Sequence, residues 1–145
     1  MLIALAIITT VIKTREAKAQ PVVVDIRTES IEKQVEYFTN LYGGDIAVNL
    51  KVIECESNGI VTTIGDSGRS YGLAQFQKPT FNWMAKEFGE ELDYKSPYDQ
   101  IKLMTWAISK GYGSNWTTYV AIKHGGTYKF YSSQLKKHFI VKCKL

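Results

Sequence analysis

The sequence predicts an α+β fold that is mainly helical, with one small β-hairpin between helices. Apolar residues recur at helical spacing in several segments that are bounded by capping residues. One segment, residues 60–77, instead combines strand-favouring residues with turn residues. The chain has 145 residues, 45% of them hydrophobic, and this size and composition suit a single globular domain.

Residues 1–19 are predicted to be a targeting segment. The apolar run at residues 2–12 is shorter than a membrane span, and Ala17-Lys18-Ala19 matches the pattern that signal peptidase cleaves. No Lys or Arg precedes the run, so an uncleaved N-terminal membrane anchor is the alternative. In both cases we expect export to the periplasm, the cell wall or the exterior, with residues 20–145 forming one domain.

Five helices are predicted after an extended lead-in at residues 20–28, covering about residues 30–41, 46–56, 79–89, 97–110 and 114–124. The second helix is apolar over most of its surface, which predicts a buried, central position. Asp45 suits its N-cap, and Asn58 and Gly59 suit a left-handed C-cap. Ser96-Pro97 is a typical start for the fourth helix. Trp83 and Trp106 are expected in the core.

The hairpin is predicted from the order of residue types in one segment. Residues 60–64 favour a strand, residues 65–68 a turn, and residues 71–76 a returning strand. The end of the chain, residues 123–145, is compatible with either strand or irregular structure.

The net charge of +4 is unevenly distributed. Residues 1–19 contribute +2, residues 20–122 contribute −4, and residues 123–145 contribute +6 because they contain six Lys and no acidic residue. A nucleic-acid-binding domain would carry its basic residues on the folded face, so no nucleic-acid partner is expected. The Lys-rich tail is either a contact for anionic wall polymers or a membrane surface, or a solvated segment.

The two cysteines, Cys55 and Cys143, allow a disulfide that would tie the tail to the core. Alternatively, Cys55 is a small buried apolar residue. His124 and His138 are not spaced with the cysteines as metal ligands are, so neither a metal nor another cofactor is expected.

Glu56 is the strongest candidate for a chemical role. It lies at the C-terminal end of an apolar helix, where burial and the negative end of the helix dipole both disfavour the ionised carboxylate. Its pKa should therefore rise toward neutrality, as a general acid requires. The hairpin would form one wall of a cleft, with Gly72 allowing close approach of a ligand and Gln75 adding a polar side chain.

Glu56-Ser57 at a helix end, followed by Gly72-Leu73-Ala74-Gln75, resembles the soluble lytic transglycosylase branch of the lysozyme superfamily. The resemblance covers about residues 45–119 and includes the segments 66–76 and 96–116. It implies a lysozyme-like fold and cleavage of the β-1,4 bond between N-acetylmuramic acid and N-acetylglucosamine in peptidoglycan. Glu56 would be the catalytic acid/base of an enzyme that acts as a monomer on glycan strands without a cofactor.

The same resemblance implies a set of substrate-binding residues: Ser57, Ser70, Tyr71, Gln75, Tyr112 and Trp116. Tyr71 could instead fill the strand, and Gln75 could satisfy backbone groups. The Ala-Tyr-Asn-Ala-Gly motif of many lytic transglycosylases is absent, and the region after Gly111 offers aromatic residues in its place.

Ser70 stands where hen-type lysozymes carry an aspartate, so the two-carboxylate retaining mechanism lacks its nucleophile. Two routes remain: attack by the substrate's own C6 hydroxyl to give a 1,6-anhydro sugar, or inverting hydrolysis with Asp66 positioning a water. Asp66 could also be a simple turn former. A non-catalytic peptidoglycan-binding protein is the alternative from another functional class.

Overall fold

The computed structural model describes residues 24–145, so the predicted signal peptide or anchor at residues 1–19 lies outside the described residues. The described chain is mainly helical with two small antiparallel sheets, which confirms the predicted fold class. The α-helices are α1 (Ile31–Tyr42), α2 (Ile46–Ser57), α3 (Lys78–Phe88), α4 (Pro97–Ser109) and α5 (Thr117–Lys123). The strands are β1 (Ile64–Gly65), β2 (Ser70–Tyr71), β3 (Phe76–Gln77), β4 (Thr127–Ser132) and β5 (Lys137–Lys142).

The helix ends follow local capping chemistry, as predicted. The Asp45 side chain accepts a hydrogen bond from the backbone N–H of Val48 at 3.1 Å and so caps α2. Ser96 caps α4 in the same way through the N–H of Asp99 at 3.2 Å. At the other end of α2, Asn58 adopts the left-handed conformation with φ 54°.

The predictions for the lead-in and for the start of the last helix are wrong. The lead-in is not extended throughout, because Ile26–Thr28 forms a 3-10 helix in which the Asp25 side chain accepts from the backbone N–H of Arg27. The last helix does not begin at Ser114, because Tyr112–Asn115 forms a separate 3-10 helix and α5 starts only at Thr117. In both places a short-range turn replaces the regular structure that residue type alone favours.

The core lies between α1, α2, α3 and α4, with α1 packed along α4. One side of α2 is buried and faces α1 and α5, as expected for a central helix. The largest fully buried apolar side chains are Phe38, Phe81, Leu73, Met84, Ile101, Leu103 and Met104. Trp83 is 44% exposed, so its predicted place in the core is wrong, whereas Trp106 is half-buried against the core. Within residues 24–145, none of the helices combines the length and apolar character needed to cross a bilayer.

The predicted hairpin is a three-stranded antiparallel sheet of very short strands. Ile64 pairs with Tyr71, and Tyr71 pairs in turn with Phe76. Residues 60–63 form a turn after α2 rather than a strand, since the backbone N–H of Thr63 donates to the carbonyl of Ile60 at 3.3 Å. The returning strand is interrupted between Tyr71 and Phe76 by a tight loop, residues 72–75.

The C-terminal tail forms a regular hairpin of β4 and β5, paired from Thr127↔Lys142 to Ser132↔Lys137 and packed on α5. Immediately after β5, Cys143 forms a disulfide with Cys55 in α2. The predicted disulfide is therefore confirmed, and it joins the basic tail to the helix that carries Glu56.

Candidate active site

A pocket of about 360 Å³ lies where the three-stranded sheet, the start of α5 and the C-terminal hairpin meet. Its lining is mostly polar and comes from parts of the chain that are far apart in sequence. The residues around it are Glu56, Asp66, Ser70, Gln75, Phe76, Gln77, Thr80, Asn115, Trp116, Thr117 and Phe130. Two carboxylates, those of Glu56 and Asp66, are therefore exposed to one cavity.

Glu56 occupies the last turn of α2, is half-buried, and opens onto this pocket. Burial raises the pKa of its carboxyl group to about 7, and the negative charge of Asp66 acts in the same direction. The Thr118 hydroxyl opposes this by donating a hydrogen bond to Glu56 Oε1 at 2.5 Å, which favours the ionised form. Glu56 is thus poised to give up and take back a proton near neutral pH.

Asp66 directly follows β1, and hydrogen bonds hold its carboxylate in a fixed orientation. Its Oδ2 accepts a hydrogen bond from the Ser70 hydroxyl at 2.7 Å and a longer one from the Gln77 side chain at 3.4 Å. The residue also begins the 3-10 turn Asp66–Gly68 with a positive φ of 50°. It therefore acts as a turn former and presents a carboxylate to the pocket at the same time.

The loop at residues 72–75 is held to α4 by one buried glutamine. The Gln100 amide donates to the carbonyl of Tyr71 at 3.2 Å and to that of Tyr94 at 2.7 Å, and its oxygen accepts from the N–H of Ala74 at 3.1 Å. Gly72 has φ 82°, and a Cβ there would lie 2.3 Å from the Gln100 Nε2. The glycine thus makes room for Gln100, whereas the sequence suggested that it made room for a ligand.

Gln75 and Trp116 line the pocket and are also fixed by the backbone. Gln75 Nε2 donates to the carbonyls of Thr63 at 3.0 Å and Gly72 at 2.8 Å, the backbone-satisfying role that was the alternative for this residue. The indole N–H of Trp116 donates to the carbonyl of Ala74 at 2.8 Å, and only 5% of the residue is exposed. These bonds give the pocket rigid walls.

The structure brings four of the seven predicted site residues to one pocket: Glu56, Ser70, Gln75 and Trp116. The other three, Ser57, Tyr71 and Tyr112, do not line it. Buried Ser57 donates its hydroxyl hydrogen to the carbonyl of Ile53, and the Tyr71 ring packs against Tyr94. Tyr112 packs between Trp83 and Trp106.

Three contributions to the site escaped the sequence reasoning. Thr118 bonds directly to Glu56, Gln100 fixes the loop at residues 72–75, and Phe130 forms part of the pocket wall. Thr118 and Phe130 follow the region of resemblance or lie at its end, and no local pattern marks them. The sequence offered one weak signal for Gln100, which is a glutamine in the apolar stretch of α4. A buried amide needs several hydrogen-bond partners.

Comparison of the chain with known protein families, with curated proteins and with solved structures found no match. Within residues 24–145, no three His, Cys, Asp or Glu side chains converge as metal ligands would.

Proposed function

We propose that this protein is a peptidoglycan lytic transglycosylase with a lysozyme-like fold, which cleaves the β-1,4 bond between N-acetylmuramic acid and N-acetylglucosamine. The observation that carries the proposal is Glu56, a half-buried carboxyl group with a pKa of about 7 at the edge of a polar pocket. Its position at a helix end, with Gln75 of the 72–75 loop lining the same pocket, agrees with the motif order in the sequence.

In the proposed reaction, protonated Glu56 gives its proton to the glycosidic oxygen as the bond from that oxygen to C1 of N-acetylmuramic acid breaks. The C6 hydroxyl of the same sugar then attacks C1, forming the new O6–C1 bond of a 1,6-anhydro ring. The Glu56 carboxylate takes the proton that this hydroxyl loses. No water is consumed, and the enzyme returns to its starting state.

Asp66 favours a second candidate, a muramidase that hydrolyses the same bond. Its carboxylate opens onto the same pocket as Glu56 and is oriented by Ser70. A carboxylate in that place can act as a general base on a water molecule that attacks C1 with inversion. In the transglycosylase, Asp66 instead stabilises positive charge that develops on the sugar and keeps the pKa of Glu56 high.

Mass spectrometry of the products released from purified peptidoglycan separates these mechanisms. We expect 1,6-anhydro ends, which are one water lighter than hydrolytic ends, and a loss of about a hundredfold or more in rate for Glu56→Gln. Glu54→Gln is the matched control, since Glu54 lies on the same helix but is exposed and pairs with Lys51. If all of the products carry reducing ends, the protein is a muramidase and not a transglycosylase.

A non-catalytic peptidoglycan-binding protein is the remaining alternative. If the wild type binds sacculi in a pull-down but releases no fragments, the binding protein is the correct description. The proposed activity places the protein in the periplasm, the cell wall or the exterior, acting as a monomer on glycan strands. It involves neither nucleic acid nor a cofactor.

A further inference from the structure

The C-terminal hairpin has one face on which aromatic side chains form a continuous row. Alternation along β4 and β5 places Phe130 and Phe139 directly opposite each other, with ring centroids 5.4 Å apart and nearly parallel planes. The Tyr128 ring stacks on Phe130 at 5.7 Å, and the Lys137 ammonium lies 4.7 Å from the centre of the Phe139 ring. We call these four residues the aromatic face of the hairpin.

This face is continuous with the pocket. Phe130 is one of the pocket's lining residues, while Tyr128 packs against the core at the base of the hairpin. From Phe130 the row proceeds to Phe139 and then to Lys137, which belongs to the last residue pair before the turn. Phe130 and Phe139 are both half-buried, so part of each side chain is in contact with solvent. A ligand that fills the pocket can therefore extend onto the hairpin.

The positive charge of the C-terminal tail indicates which kind of ligand the aromatic face would bind. Residues 123–145 contain six Lys and no acidic residue, so an anionic partner is favoured. Aromatic rings offer flat, rigid, apolar surfaces that can stack on the apolar face of a sugar ring. A polymer that combines sugar rings with carboxylates at regular intervals matches both properties, and a glycan strand that carries stem peptides is such a polymer.

We propose that the aromatic face of the hairpin is an additional binding surface for the glycan strand, beyond the sugars held in the pocket. The faces of Phe130 and Phe139 are partly covered by each other, by Tyr128 and by Lys137, so it is the exposed edges of the two rings that contact the apolar face of a sugar ring. Lys137 pairs with a carboxylate of a stem peptide. This inference rests on the proposed function, because it assigns the hairpin to the same polymer. It gives the tail a defined ligand in place of a general attraction to anionic surfaces.

Binding measurements on strands of different length test this proposal. In a Glu56→Gln background, which prevents turnover, Phe139→Ala should weaken binding of long strands about five- to tenfold, the size expected for one aromatic contact. Binding of a disaccharide, which is short enough to stay within the pocket of about 360 Å³, should not change. Phe139→Tyr keeps the ring and should restore binding of long strands.

The opposite face of the hairpin supplies matched controls. Ile140 is 58% exposed, and it pairs with Lys129 on the side away from the aromatic row. Ile140→Ala and Lys129→Gln should therefore leave strand binding unchanged. Lys137→Gln should weaken binding of strands that carry stem peptides and have no effect on strands from which an amidase has removed them.

The outcomes distinguish this inference from the proposed function. If the wild type cuts peptidoglycan but Phe139→Ala binds long strands as well as Ile140→Ala does, the additional surface is disproved and the activity stands. If Lys129→Gln and Lys137→Gln weaken binding equally, and phosphatidylglycerol vesicles bind as well as strands do, the hairpin is a membrane contact. If no fragments are released but the length dependence is seen, the activity fails and the surface stands.

Discussion

Glu56 is subject to opposing influences that together set its proton affinity. Burial and the charge of Asp66 raise the pKa of its carboxyl group, and the hydrogen bond from Thr118 lowers it. The result is a folded-state pKa of about 7 against 4.5 for an unperturbed glutamate. When the pKa of a carboxyl group is raised this far, its ionised form destabilises the fold. Such pKa shifts are common at catalytic positions.

This displacement predicts a pH-dependent difference in stability between the wild type and Glu56→Gln. The folded protein binds the Glu56 proton more tightly than the unfolded chain, so this contribution to stability is complete below about pH 4.5 and is lost as the pH rises through about 7. The glutamine side chain of the variant stays neutral throughout. The variant should therefore match the wild type in acid and exceed it by at most about 3 kcal/mol above pH 8.

Urea denaturation across this pH range measures the difference. The control Glu54→Gln changes a carboxylate that is 59% exposed and should show no comparable growth of the difference with pH. If the unfolding free energies of Glu56→Gln and the wild type differ by the same amount at every pH, Glu56 is not held in its neutral form.

Thr118 should set the alkaline limit of activity. Thr118→Val removes the hydrogen bond to Glu56 Oε1, so the pKa of Glu56 should rise above its present value of about 7. The alkaline limb of the kcat/KM profile should then move to higher pH by about one unit, the equivalent of one hydrogen bond to a charged group. Thr118→Ser keeps the hydroxyl and serves as the control. A limb that stays in place or moves to lower pH would show that this bond does not tune the acid.

At the level of elements, the helices could be predicted closely because their signals are local. Asp45 caps α2 and Ser96 begins α4 where the sequence placed them, and Asn58 ends α2 as expected. Such signals depend on a few neighbouring residues and not on distant parts of the chain.

The sheet beside the pocket could be predicted only in outline. Its three strands have two residues each, and their positions are fixed by contacts with distant parts of the chain. Gln100 accepts a hydrogen bond from the N–H of Ala74, which lies 26 residues away in the sequence. Trp116 donates to the carbonyl of Ala74, which lies 42 residues away. Residue propensity carries no information on such pairs, so the interruption at residues 72–75 was not foreseen.

At the level of the whole molecule, the candidate site was predictable where the resemblance gave a motif and not elsewhere. Glu56, Ser70, Gln75 and Trp116 came from segments with recognisable residues and share the pocket. Phe130 belongs to a tail whose strands had no clear pattern, because both of its faces carry aromatic residues and lysines. The tail is held beside the pocket by packing on α5 and by the disulfide that joins its end to α2.

That disulfide should support both stability and activity. Cys55 and Cys143 are 88 residues apart. Because the disulfide closes so long a loop, its removal should lower the free energy of unfolding by about 4 kcal/mol. The double variant Cys55→Ser, Cys143→Ser should therefore unfold at a lower urea concentration. It should also lose activity on long strands, because the hairpin that carries Phe130 is no longer fixed beside Glu56. A reducing agent should reproduce both losses in the wild type and have no effect on the double variant. Equal urea midpoints for the oxidised wild type and the double variant would show that the hairpin holds its place through packing on α5 alone.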